Sequence, residues 1–264
     1  MSEKRPIGLF DSGVGGLSVL KEVVKLLPNE DVIYYGDSGN APYGEREGED
    51  IRRLCFGIMD FLIEKNCKVI VIACNTAVAA AYDDIRERYG IPTVDVVSPG
   101  ARGALGATKS KKIGVFSTPF TAKSDIYAQK IKAIDPSARV FQEGCREFVP
   151  MIESGWEMFS DRREIIAKHV KNLPSGTDTL VLGCTHYPII REDIASLFHG
   201  IIVDPAKETA FALQEILREL RLANPKETQG VVEYYVSGDT EAFRKIADRF
   251  LGVSIPAPTG KKVN

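Results

Sequence analysis

The chain has 264 residues, 44% of them hydrophobic and 27% charged, with a formal net charge of -2. That length accommodates one large α/β unit or two domains of ordinary size, and the near-balance of charge removes any bulk electrostatic reason to expect a nucleic-acid partner. No apolar run approaches membrane-spanning length and the opening MSEKRPIGLF lacks the apolar stretch of a leader, so the expectation is a cytoplasmic protein with no membrane partner.

Taken in order, the predicted strands are IGLF, DVIYYGD, KVIVIAC, PTVDVV, KIGVF, ARVFQ, TLVLGC, GIIVD and VEYYVSG, all short and rich in β-branched residues. Amphipathic stretches lie between them. One places Leu17, Leu20, Val24 and Leu27 on a single helical face, and another does the same with Leu213, Ile216, Leu217 and Leu220. This alternation is the pattern of an α/β protein with a mostly parallel sheet.

The order also repeats. Ile7-Gly8-Leu9-Phe10-Asp11-Ser12 can be laid over Ile113-Gly114-Val115-Phe116-Ser117-Thr118 at an offset of 106 residues, and IACNTA around Cys74 over LGCTHYP around Cys184 at an offset of 110. Asp95 then follows Cys74 by 21 residues and Asp204 follows Cys184 by 20. Three matches in the same order imply two homologous halves. The expected fold is therefore α/β, with two pseudo-symmetric parallel-sheet domains facing across a cleft. The first comprises residues 1–97 with 208–264, the second residues 98–207. The passage SPGARGALGATKSKK, rich in Gly, Ser and Lys, falls at the boundary, and the segment from Val97 to Gly106 is expected to take part in the hinge.

In open parallel sheets ligands bind beyond the carboxyl ends of the strands, where loops enter helices. Cys74 and Cys184 both occupy that position. A helix N-terminus there is expected to favour the thiolate and lower the thiol pKa. Two thiols on opposite sides of one small ligand suit inversion of a stereocentre bearing hydrogen: one removes the proton from one face, the other delivers a proton to the opposite face. The other cysteines, Cys55, Cys67 and Cys145, read as buried packing residues. Five cysteines without a C-x-x-C pair, and three histidines without H-x-x-x-H spacing, argue against a disulfide framework or a metal site.

DSGVGG after the first strand offers Asp11, Ser12 and a run of backbone N–H groups as an anion cradle; Ser18 stands where a dinucleotide fingerprint needs its third glycine. Asn75, Thr76 and Thr185 follow the cysteines and can bind a carboxylate or ammonium, cap a helix, or both. His186, two residues beyond Cys184, is placed to tune that thiol.

DSGVGGLSV, GDSGNAPYG, IACNTA, VPMIESG and GCTHYP, in this order and at these spacings, resemble the cofactor-independent glutamate racemases of bacterial cell-wall synthesis over nearly the whole chain. The resemblance implies interconversion of L- and D-glutamate without a cofactor or metal, in a cytoplasmic homodimer. It implies that Cys74 acts on D-glutamate with help from Asp11, and Cys184 on L-glutamate with help from His186 and Glu153. The substrate-binding residues it implies are Asp11, Ser12, Tyr43, Gly44, Asn75, Thr76, Thr118, Thr121, Thr185 and His186, with Asp37 as a further contributor. Departures from the family pattern are Ser117 before Thr118, Arg146 after Cys145, and Val78 after the first cysteine motif. Three other readings stand beside it: an aspartate racemase of the same superfamily, a cysteine hydrolase using one thiol with His186 as base, and a nonenzymatic nucleotide-binding module using DSGVGG.

Overall fold

Short strands whose residues are apolar on both faces must be covered by helices on both sides. A computed structural model describes residues 4–225 and 227–263 and resolves this requirement with two parallel sheets. The elements are β1 (Ile7–Asp11), α1 (Leu17–Leu26), β2 (Val32–Gly36), α2 (Gly48–Glu64), β3 (Val69–Ile72), α3 (Asn75–Arg88), β4 (Thr93–Asp95), α4 (Val97–Ala107), β5 (Lys112–Ser117), α5 (Pro119–Lys123), α6 (Ile126–Ile134), β6 (Arg139–Gly144), α7 (Phe148–Gly155), α8 (Arg162–Asn172), β7 (Thr179–Gly183), α9 (Arg191–Ala195), β8 (Ile201–Val203), α10 (Pro205–Glu219), β9 (Val232–Val236), α11 (Thr240–Leu251) and β10 (Thr259–Gly260).

The first sheet has the order β10-β9-β2-β1-β3-β4 and the second β6-β5-β7-β8. Every pairing is parallel. The four strands β2-β1-β3-β4 and β6-β5-β7-β8 therefore repeat one topology, with β1 equivalent to β5 and β3 to β7. The sequence repeat extends to the end of each unit. Asp95 Oδ1 accepts from Ser98 N at 2.6 Å and Asp204 Oδ1, at the N-cap of α10, from Ala206 N at 2.9 Å, so each carboxylate takes up a free amide in the first turn of the helix that follows, α4 or α10. β9 pairs with β2 along Val32–Gly36, returning the C-terminal segment to the first sheet.

Alternation along the strands of the second sheet sorts its side chains between two cores. Ile113, Val115 and Val181 join the large core shared with the first sheet, while Phe116, Leu180 and Leu182 pack with Phe148, Trp156 and Ile166 in a smaller outer one. Burial of each such side chain contributes about 1.5–3 kcal/mol. On α1, Leu17 and Leu20 are fully buried and Val24 and Leu27 partly so; on α10, Leu213 and Leu217 are buried while Leu220 is exposed.

Most of the boundary passage is helical. Val97–Ala107 forms α4, which packs against α10, α6 and β7. Its glycines serve close packing: a Cβ on Gly100 would lie 2.9 Å from Pro205 Cγ and 3.2 Å from the Tyr127 hydroxyl. The expected hinge segment is here a small-residue helix against which α10 is laid.

Candidate active site

β3 delivers Cys74 and β7 delivers Cys184 to the same end of their sheets. Both are buried, and both line one small cavity together with Ser12, Gly13, Ala41, Pro42, Tyr43, Gly44, Asn75, Thr76, Thr118, Val149, Glu153, Thr185 and His186. The cavity volume is about 30 Å³. Of the residues singled out in the sequence, Asp11, Thr121 and Asp37 stand behind this lining.

Cys74 is itself the N-cap of α3, its sulfur accepting from Ala77 N at 3.4 Å, and its sulfur lies 3.5 Å from Ser12 Oγ. The residues after the cysteines, expected as possible caps, reach across the cleft instead. Asn75 Oδ1 accepts from the Tyr127 hydroxyl at 2.8 Å. Thr76, Thr118 and Thr121 form a triangle of hydroxyls 2.9–3.1 Å apart, with one corner on the first half of the chain and two on the second. Thr185 donates to Asp11 Oδ1 at 3.1 Å, while Gly13 N donates to Asp11 Oδ2 at 2.9 Å.

The expected lowering of the thiol pKa fails at Cys74. Burial, and after it the charge of Asp11, push that thiol up to about 12, against the smaller help that Ser12 and the Ala77 amide give the thiolate. A helix N-terminus carries only a fraction of a charge, which desolvation and a neighbouring carboxylate outweigh. Asp11, fully buried, is itself raised by desolvation, opposed by the charge of His186 and by the bonds from Gly13 and Thr185.

The second thiol has different company. Cys184 Sγ lies 3.8 Å from His186 Nδ1, and His186 Nε2 lies 2.9 Å from Glu153 Oε1. Burial pushes the imidazole down, but the bonds and charges of Cys184 and Glu153 together hold it up at about 10. Glu153, partly buried, is lowered in spite of its desolvation by His186 and Arg249. The site thus sets an imidazole backed by a carboxylate beside one thiol and a buried carboxyl group beside the other.

The glycine-rich loop has a role beyond turning the chain. A Cβ on Gly15 would lie 2.5 Å from His186 Nδ1, so glycine there lets the loop of the first half seat against Thr185 and His186 of the second. Asp37 accepts from the hydroxyls of Tyr43 and Ser237, each at 2.5 Å, and so fixes the Tyr43 ring in the cavity wall. Tyr43, Gly44, Thr118 and Glu153, which only the resemblance had indicated, all reach the cavity. Sequence reasoning missed Ala41, Pro42 and Val149, although all three lie inside motifs it had quoted. It also missed Tyr127, which no local pattern marks. Cys55, Cys67 and Cys145 are buried away from the lining.

A family model described as Asp/Glu/Hydantoin racemase matches residues 7–213. A glutamate racemase of Fusobacterium nucleatum is 45% identical over 257 residues, 97% of each chain. Among solved structures, glutamate racemase isoform RacE1 from Bacillus anthracis is 33% identical, with a TM-score of 0.95 over 98% of each chain. Glutamate racemase from Francisella tularensis in complex with D-glutamate is 34% identical, with a TM-score of 0.92 over 98% of each chain. With two thiols at equivalent strand ends, one repeated sheet topology and this likeness over almost its whole length, the chain belongs to the Asp/Glu/Hydantoin racemase family.

Proposed function

We propose that the protein interconverts L- and D-glutamate by a two-thiol acid/base mechanism that uses no cofactor, supplying D-glutamate for peptidoglycan from the cytoplasm. The observation that carries this reading is the placement of Cys74 and Cys184 on one cavity, each at the end of an equivalent strand and each with its own titratable neighbour. Substrate choice rests on the named relatives, including the one that holds D-glutamate.

In the L-to-D direction the Cys184 thiolate removes the α-proton, leaving a carbanion whose electron pair is delocalised into the α-carboxylate. The Cys74 thiol then delivers its proton to the opposite face. The enzyme is left with its thiol and thiolate exchanged; after product leaves, Cys184 gives its proton to solvent and Cys74 takes one up, which readies the site for another L-glutamate. His186 supports the thiolate at Cys184 before transfer, and Asp11 is placed to manage the proton of Cys74. Asn75, the hydroxyl triangle and Thr185 supply donors for the carboxylates, and exclusion of water strengthens each of these contacts.

A cavity of about 30 Å³ accommodates a water or two, so entry of glutamate requires the two lobes, residues 1–97 with 208–264 and residues 98–207, to part and close again. A homodimer is carried over from the resemblance, and light scattering in solution tests it.

The Cys184–His186–Glu153 chain of contacts favours one competing reading, a cysteine hydrolase. That reading gives Cys74 no task. Incubation with L-glutamate in deuterated water, without added cofactor, separates the two. We expect loss of optical activity, with deuterium entering the α-carbon of the product. Cys74→Ala and Cys184→Ala should each reduce racemisation about 10³-fold or more. No deuterium exchange with glutamate, but exchange with aspartate, would move the substrate; a covalent burst with activated esters and no exchange would install the hydrolase.

A further inference from the structure

Among the described contacts to Glu153 and His186, two come from the opposite lobe, from the last turn of α11. That helix belongs to the first lobe: Phe243 is buried with its ring 6.2 Å from Tyr34 of β2, and α11 packs on α1. Its far end crosses the cleft. Arg249 Nη2 donates to Ile152 O and Glu153 O, each at 3.0 Å. The ring of Phe250 meets His186 edge-on, 6.2 Å between centroids at 88°.

The carbonyls that Arg249 takes up belong to the last turn of α7, which carries Glu153. Such carbonyls have no partner within the helix and attract a cation. α7 ends at Gly155 in the left-handed region, φ 111°, and a Cβ there would lie 3.6 Å from Arg249 Nη1. The chain therefore breaks its helix directly beneath the guanidinium. Glu153 is only partly buried and is held to His186 by one bond, so its position depends on what holds its own backbone.

We propose that Arg249 and Phe250 are positioning residues for the Cys184 half of the site: the C-terminal helix of the first lobe clasps α7 and the His186 ring, and thereby holds the Glu153–His186 pair against the Cys184 sulfur. The clasp engages only when the lobes are together, so it couples closure to the arming of one thiol. On the Cys74 side the crossing helices are α5 and α6, whose Thr121 and Tyr127 bond Thr76 and Asn75, and among the described contacts neither touches a titratable partner of that thiol as Arg249 and Phe250 touch the Glu153–His186 pair. This rests on the racemase reading for its effect on turnover, but not for its effect on the thiols.

Enantiomers have an equilibrium constant of one, so kcat/KM must fall equally in both directions and cannot reveal which half-site is affected. The relative reactivity of the two thiols can. We would alkylate the full-length protein with iodoacetamide at fixed pH and follow Cys74 and Cys184 separately by peptide mass spectrometry. In Arg249→Met, labelling of Cys184 relative to Cys74 should fall about 2–5-fold and kcat about 10-fold, with KM changed by less than about twofold. Arg249→Lys should restore part of both. Phe250→Leu, which leaves the cation in place, should shift the labelling ratio in the same direction. A merely structural role would lower thermal stability and expose both thiols alike, leaving the ratio unchanged; that result overturns the proposal. If wild-type protein fails to racemise glutamate, the function falls, and the labelling ratio still decides the clasp.

Discussion

At the end of β3 the Cys74 sulfur faces a buried carboxylate, Asp11, whereas at the end of β7 the Cys184 sulfur faces an imidazole, His186, backed by Glu153. The strands, their order and their helix-capping aspartates are duplicated. The electrostatics are not. A reaction that turns one enantiomer into its mirror image needs two groups on opposite faces of the substrate, and nothing in that requirement makes their surroundings alike. A repeated scaffold supplies the positions, and divergence around each sulfur supplies a thiol that holds its proton on one side and a cation beside the other. In the mechanism proposed above, that difference lets one thiol act as acid while the other acts as base.

Breaking the cationic side should have the largest effect. His186→Asn is expected to slow racemisation about 10²-fold, measured by polarimetry with either enantiomer. It should also change the dependence of stability on pH. His186 is raised from 6.5 to about 10 in the folded protein, so its contribution is fully present below pH 6.5 and is lost as pH rises through 10. Glu153 is lowered from 4.5, so its contribution is present above that value and is lost as pH falls through the lowered one. The difference in melting temperature between wild type and His186→Asn should then be widest between pH 4.5 and 6.5 and shrink toward pH 10. A difference that stays constant with pH would contradict this.

The anionic side offers a sharper contrast, because two effects should run in opposite directions. Asp11→Asn removes a charge that raises the Cys74 thiol, so iodoacetamide should label Cys74 faster at a given pH. Racemisation should nevertheless slow, by about 10-fold or more, because the group placed to manage that proton is gone. Slower labelling together with slower turnover would show that Asp11 is protonated in the resting site.

The smallest effect should come from the scaffold that both sides share. Gly100→Ala places a methyl against Pro205 and should cost about 1–3 kcal/mol in denaturant unfolding, with kcat within about twofold of wild type. A large change in the Cys184-to-Cys74 labelling ratio in this variant would mean that α4 and α10 steer the half-sites unequally.

Much of the molecule was legible along the chain. β-branched runs mark β1 through β9; β1, β2, β3 and β7 are buried along their whole length and so must be mostly apolar, while the partly exposed β6, β8 and β9 keep only part of that signal. The paired cysteine motifs locate the site because each lies where a strand hands over to a helix. β10, only Thr259–Gly260, carries no such signal. α4 was concealed by its glycines, of which Gly100 serves the approach of Pro205 and Gly103 that of Glu208, contacts about a hundred residues away in the chain. The lowering expected at Cys74 failed because spacing reports a helix N-terminus but not how deeply the sulfur is buried, nor that Asp11 is buried beside it.

The sequence by itself determined the α/β class, the internal duplication and the two thiols, because these follow from local periodicity and from repeated residues at repeated intervals. Only the tertiary structure decided what surrounds each sulfur. The pairing of Thr185 with Asp11, the hydroxyl triangle of Thr76, Thr118 and Thr121, and the reach of Arg249 to Glu153 join residues far apart in the chain. Charge and burial act through distance in space, and that distance is set when the two halves close on each other.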